Sequence, residues 1–172
     1  MAELVTPAER WMPEFRQALV ESAPLGDAAP WDPAPDCTDE AMASAIADMA
    51  KGIWGPQATE PTQLLRWWVE GDIYLGRASL RHLSLRDSDP AHYAGHGDIG
   101  YDVRPSARGR GIATEILRAM LDLARELGYP DVLVTCDVGN AASRRVIEKA
   151  GGRFVDEFDD AGESVLRYRF PL

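Results

Sequence analysis

Residues 98–127 read DIGYDVRPSARGRGIATEILRAMLDLAREL, and no other stretch limits the fold as much. The first six alternate, with Ile99, Tyr101 and Val103 on one face and Asp98, Gly100 and Asp102 on the other, the period of a strand. From Ile112 the period changes to that of a helix: Ile112, Ala113, Ile116, Leu117, Met120, Leu121, Ala124 and Leu127 fall on one stripe, and Gly128 before Tyr129-Pro130 is a stop signal. Between them lies a turn holding Arg104, Arg108 and Arg110 with Gly109 and Gly111. A strand, an arginine-glycine turn and a long amphipathic helix require a layered α/β domain.

The same alternation of periods continues downstream. DVLVTCDV, residues 131–138, is a nearly continuous apolar strand of the kind covered on both faces. Asn140 caps a helix whose inward residues are Ala142, Val146, Ile147 and Ala150, closed by Gly151-Gly152. Two strands, RFVDEF and SVLRYRF, follow around the turn DDAGE. Upstream, residues 62–85 read as two antiparallel strands joined at Gly71-Asp72, and RDSDPAHYAGHG as a loop. The N-terminal part is helical. Trp11, Phe15, Ala18, Leu19 and Ser22 form one stripe, and Met42, Ile46, Met49 and Ala50 another, in a helix from Thr38-Asp39 to about Lys51. The four prolines of residues 24–37 make that segment irregular, and Gly55-Pro56 ends the helical part. The expected fold is a mixed, mostly antiparallel twisted sheet flanked by helices. It forms a single domain over 1–172, with a helical part at 1–60 and a core at 62–170.

Composition excludes several partners. The chain of 172 residues carries 18 basic and 28 acidic residues, a formal charge of −10. That charge disfavours nucleic acid and anionic membrane, and tolerates a cationic amine. With no long apolar run and no export signal, a cytoplasmic protein is expected. Cys37 and Cys136 have neither metal-ligand spacing nor a disulfide framework, so both read as reduced thiols.

Against that acidic background the three clustered arginines need an anion. A helix start has unpaired N–H groups and a partial positive charge. Gly109 and Gly111 let the backbone approach a phosphate, and Arg108 and Arg110 add charge. A P-loop is excluded because no Lys follows the second glycine. The dinucleotide pattern fits poorly: Thr114 replaces its third glycine and PSAR intervenes before the first. A solvated arginine turn is the plain alternative.

The spacing Arg108-x-x-Gly111-x-Ala113 resembles the acetyl-CoA signature of the GNAT superfamily of N-acetyltransferases, and NAASRRVIEKAGG resembles that family's second block. The wording of both is similar to a bacterial subgroup of predicted acetyltransferases. The resemblance spans roughly residues 62–170. It implies a GNAT-like fold and an acetyl-CoA-dependent acyltransferase with no metal, acting on a small-molecule or protein amine, with a homodimer left open. By position it implies that Tyr101, Asp102 and Val103 offer backbone groups to the pantetheine arm and that Arg108, Gly109, Arg110, Gly111, Ile112, Ala113 and Thr114 cradle the pyrophosphate. Asn140 reaches the pantetheine, with Ser143 beside it; a plain helix cap is the other reading of Asn140.

In this chemistry a neutral amine attacks the thioester, which needs a base, an oxyanion donor and an acid for the thiolate. The resemblance puts the donor at the Val103 N–H and a base, acting through water, at Asp98. A strand-end Asp98 in solvent is the alternative. The position seven after Asn140, tyrosine in many relatives, is Ile147, which leaves a water or Tyr101 as the acid and keeps a non-catalytic acyl-CoA-binding module as the rival function. His82, His92 and His96 are other candidate bases, and Trp67, Trp68 and Tyr74 can line an acceptor pocket or simply fill the core.

Overall fold

A computed structural model describes residues 1–27, 29, 32–53, 61–88, 90–160 and 162–172, without the side chains of 91, 92 and 160. Among the described residues seven strands run β1 Ala2–Val5, β2 Gln63–Glu70, β3 Ile73–Arg81, β4 Ile99–Val103, β5 Asp131–Asp137, β6 Arg153–Asp160 and β7 Glu163–Pro171. Six helices accompany them: α1 Met12–Ser22, α2 Asp39–Lys51, α3 Leu85–Ser88, α4 Pro90–His96, α5 Ile112–Glu126 and α6 Ala141–Ala150. The strands form a sheet in the order β1-β2-β3-β4 and another in the order β5-β7-β6. The expected sheet-and-helix architecture is the one found. Gly55-Pro56 lies outside the described residues.

The chain divides into two compact units, Met1–Arg77 with Asp102–Ile112 and Ala78–Tyr101 with Ala113–Leu172. In the first unit β1 pairs antiparallel with β2, from Ala2 opposite Glu70 to Val5 opposite Trp67. Its core joins the inward stripes of α1 and α2 to this sheet. Phe15 lies 4.7 Å from the Trp67 ring, and Tyr74 meets both rings edge-on at 5.4 and 5.2 Å. Trp67 and Tyr74 are thus core residues, as fully buried aromatics usually are. Helix α2 begins at a true cap, the Thr38 hydroxyl accepting from the Ala41 N–H at 3.2 Å, and ends at Gly52 with φ of +82°.

In the second unit β7 lies between β5 and β6, antiparallel to each, with a register shift between Phe154 and Asp156. Ile116, Leu117, Met120 and Ala124 form the fully buried stripe of α5. The Tyr129 N–H closes that helix on the Ala124 carbonyl. Residues 86–97, expected to be a loop, largely form α3 and α4. Pro90 suits a first helical position, and Arg86 anchors the segment to Asp98 and Asp131, a tie the local glycine and proline content does not reveal. Among the described residues no helix is long and apolar enough to cross a membrane.

Candidate functional site

In the first unit Asp102 and Val103, the last residues of β4, run into the arginine-glycine turn, and the turn is fixed at its start. The Arg104 N–H donates to the Leu75 carbonyl at 3.0 Å, continuing the strand's pairing by one residue. Its guanidinium reaches back to α1, with Nη1 on Glu14 at 2.6 Å and Nη2 on Glu21 at 2.8 Å. Glu21 also accepts from the Ser106 N–H at 3.1 Å. The Arg104 hydrogen bond, then Ser106, hold its carboxyl well below the usual range, at about 2, against the opposing effect of burial. Pro105–Ala107 forms a 3-10 turn with Ala107 buried beneath it. Arg104, which the sequence offered as one of three clustered cations, is therefore spent on the scaffold.

Residues 109–111 are different. Gly109 has φ of +75° and Gly111 of +86°, and a Cβ added at either meets nothing within 4 Å. Among the described residues, no group accepts from the N–H of Gly109, Arg110 or Gly111. These open donors lead into Ile112, the first residue of α5, whose first turn has no intrahelical acceptors of its own. The loop fits a phosphate: space, unpaired N–H groups and a helix start coincide. Arg110 is exposed. Arg108 is partly engaged, Nε on the Val103 carbonyl at 3.1 Å and Nη1 on Asp27 at 2.8 Å.

Beside this loop, still within the first unit, α1 and β3 enclose a cleft lined by Phe15, Leu19, Tyr74, Arg77, Asp102 and Arg108 among others. Arg77 sits in the otherwise uncharged strand segment IYLGRASL and is almost wholly buried. Its Nη1 and Nη2 grip Asp32 at 2.6 and 2.7 Å, and its Nε holds Asp102 Oδ2 at 2.6 Å. Sequence reasoning did not find this network. An arginine in the middle of an otherwise uncharged run was its only signal, and nothing local named Asp32 as the partner.

In the second unit Tyr101 and Ser143 share a hydrogen bond of 2.8 Å between hydroxyls. Burial, which outweighs that bond, pushes the Tyr101 phenol up to about 12. Asn140 is an N-cap, its Oδ1 accepting from the Ser143 N–H at 2.9 Å. Cys136 is buried, and burial raises its thiol. Ile147 is fully buried, packed so closely against Gly152 that a Cβ there would fall 2.7 Å from its Cγ2. Asp98 is not the solvent-exposed strand-end carboxylate of the alternative reading. It is fully buried, and its carboxylate accepts from Arg86 Nε at 3.1 Å, Arg86 Nη2 at 2.8 Å, the Leu133 N–H at 2.7 Å and the Tyr93 hydroxyl at 3.3 Å. A carboxylate so enclosed is placed to brace α3, β4 and β5, and has no face turned to solvent. His82 is half-buried and His96 exposed; the His92 side chain lies outside the described residues. Among the described residues no three His, Cys, Asp or Glu side chains are grouped as metal ligands.

No curated protein matches this sequence. Solved structures do. RimL, a ribosomal L7/L12 alpha-N-protein acetyltransferase in complex with coenzyme A, is 18% identical, with 99% of this chain and 94% of that one covered at a TM-score of 0.71. The microcin C7 self-immunity acetyltransferase MccE, in complex with acetyl-CoA and AMP, is 15% identical, with 99% and 92% covered at 0.70. An acetyltransferase from Salmonella typhimurium that modifies the N-terminal serine of the 50S subunit protein L7/L12 is 17% identical, with 99% and 95% covered at 0.69. At these identities the likeness is one of fold. The sequence itself decides the family: a model described as an acetyltransferase (GNAT) domain matches residues 9–153, and the chain belongs to the GNAT acetyltransferases.

Proposed function

We propose that this protein is an acetyl-CoA-dependent N-acetyltransferase that passes the acetyl group to a primary amine by direct attack. The observation that carries the reading is the loop at residues 109–111, with two positive-φ glycines, open space where each Cβ would stand, and three N–H groups without acceptors among the described residues. Arg108 to Thr114 cradle the pyrophosphate in this reading, with Arg110 and a redirected Arg108 supplying charge. Bound acetyl-CoA supplies the activated thioester. Tyr101, Asp102 and Val103 orient the pantetheine through their backbone groups, and the Val103 N–H donates to the developing oxyanion. Asn140 uses Oδ1 for its cap and has its amide nitrogen left for the pantetheine.

Tyr101 is the group for protonating the departing thiolate. Its phenol, whose pKa burial raises further to about 12, carries its proton at neutral pH, and its hydroxyl shares a hydrogen bond with that of Ser143. Ile147 is then apolar packing without a part in proton transfer. Asp98 is given no base step, because Arg86 and Leu133 already occupy its oxygens; the amine attacks in its neutral form and releases the proton it loses to solvent water. The acceptor is a primary amine, of a protein terminus or of a small molecule. The similar structures span both a modifier of an N-terminal serine and a microcin self-immunity enzyme.

Thermal unfolding with acetyl-CoA, with NADH and without ligand tests the cofactor. A ligand at a hundred times its Kd stabilises by about 2.7 kcal/mol, and a shift with acetyl-CoA alone is expected. Gly111→Glu should abolish that shift by placing a carboxylate against the pyrophosphate. Absence of a shift at saturating acetyl-CoA in the native protein would refute the reading.

A further inference from the structure

Arg108 leads into the open turn at residues 109–111, and both forks of its guanidinium are partly engaged. A guanidinium grips a phosphate through two neighbouring N–H groups, either Nε with Nη2 or Nη1 with Nη2. Here Nε donates to the Val103 carbonyl at 3.1 Å, and Nη1 lies 2.8 Å from Asp27 Oδ2. Each fork therefore has one prong in use. Asp27 is placed by the scaffold and not only by this pair. Helix α1 continues into the 3-10 turn Ala23–Leu25, Gly26 ends that turn with φ of +69°, and the Asp27 N–H donates to the Ser22 carbonyl at 3.3 Å. The neighbouring acids hold other cations, Asp32 and Asp102 on Arg77 and Glu21 on Arg104. Among the described residues Asp27 is the one acid paired with Arg108.

We propose that Asp27 is a positioning residue that competes with the cofactor for Arg108: it holds the guanidinium against the Val103 carbonyl, and the pyrophosphate has to draw it off. This rests on the reading that residues 108–114 cradle the pyrophosphate and that the Val103 backbone meets the pantetheine. Under that reading the two Arg108 contacts oppose binding together. One withholds a cation from the phosphate, and the other covers a carbonyl assigned to the pantetheine arm. The contest is one the cofactor wins. Side-chain exposures of 46% and 38% leave both members of the pair in contact with water, where an ion pair is weak. A pyrophosphate offers more charge than a carboxylate and also receives the N–H groups of residues 109–111. Asp27, once released, is hydrated where it stands, and the net effect of its presence is a lower affinity for acetyl-CoA.

The test measures the acetyl-CoA Kd of the full chain by calorimetry in a double-mutant cycle of Asp27→Asn and Arg108→Met. Asp27→Asn should tighten binding about two- to fivefold, the range an exposed ion pair spans. Arg108→Met should weaken binding. Adding Asp27→Asn to Arg108→Met should change nothing further, because no cation is left to contest. Removing a negative charge near an anionic ligand can also improve binding through the field alone, but then the gain is equal in both backgrounds. Equal gains, or a Kd in Asp27→Asn that is unchanged or weaker, overturn the proposal. Asp27→Ser, which also removes the charge, should give the same pattern and decides the matter if the asparagine variant folds poorly. A wild-type chain that binds no acetyl-CoA instead removes the reading beneath the proposal, and the proposal with it.

Discussion

Arg77 and Asp32 form a two-pronged ion pair away from solvent, Nη1 to Oδ1 at 2.6 Å and Nη2 to Oδ2 at 2.7 Å, with side-chain exposures of 7% and 2%. The pair ties a proline-rich segment to the middle of β3. Burial alone would lower the Arg77 pKa, but the charges of Asp102 and Asp32 hold it well above its usual value. Breaking a buried pair by removing one partner costs about 3–5 kcal/mol, because the other charge is left uncompensated. Arg77→Met and Asp32→Asn should each lower stability by about that much. Urea unfolding of the single variants and of the double variant measures it, and the double variant should lose less than the sum of the two.

Glu21 makes the first unit acid-sensitive in a predictable window. Its folded pKa is about 2, lowered from 4.5 chiefly by Arg104. A depressed carboxyl pKa contributes stability that is fully present above the unfolded value and is lost as pH falls through the folded one. Stability should therefore decline between about pH 5 and 2. Glu21→Gln should be less stable than wild type at neutral pH and should show a flatter slope across that window. Equal slopes in the two proteins would remove Glu21 as the responsible group.

Removing the Tyr101 hydroxyl tests the thiolate acid. Tyr101→Phe keeps the ring and deletes the bond to Ser143. Positioned general acids contribute about 10²–10⁴-fold, so kcat should fall by about a hundredfold, with the acetyl-CoA Kd changed little. A kcat within a factor of about two of wild type would assign the proton to water instead.

The sequence was most legible where local signals and tertiary packing agree. The α5 stripe, the Thr38 and Asn140 caps and the β2–β3 turn are set by spacing and by side chains within four residues of one another, which is the range over which periodicity and capping act. Residues 86–97 were read wrongly for the opposite reason. Gly95, Gly97 and Pro90 favour a loop, and the helices depend on Arg86 reaching Asp131, 45 positions away. The site follows the same division. The glycines of the turn announce an anion loop, whereas the fates of its arginines depend on partners far off in sequence: Glu14 and Glu21 for Arg104, Asp27 for Arg108. Asp98 was visible as a carboxylate at a strand start, but its enclosure by Arg86, Tyr93 and Leu133 was not.

Gly97 and Gly109 share a positive φ, +63° and +75°, in very different surroundings, and alanine separates the two. At Gly97 a Cβ would lie 2.5 Å from the Leu133 carbonyl oxygen, a backbone atom that cannot swing aside. The same stretch carries the Asp98 N–H to that carbonyl at 2.7 Å, so relief of the clash would pull β4 from β5 and disturb the Asp98 brace. At Gly109 nothing lies within 4 Å, and only the left-handed backbone opposes a side chain, at about 1–2 kcal/mol. Gly97→Ala should thus destabilise clearly more than Gly109→Ala in urea unfolding. Ligand binding should rank them the other way. A methyl at residue 109 intrudes where phosphate is proposed to sit, so Gly109→Ala should weaken acetyl-CoA binding while the folded fraction of Gly97→Ala retains it. Loss of affinity in Gly97→Ala with none in Gly109→Ala would displace the cofactor from the arginine-glycine turn.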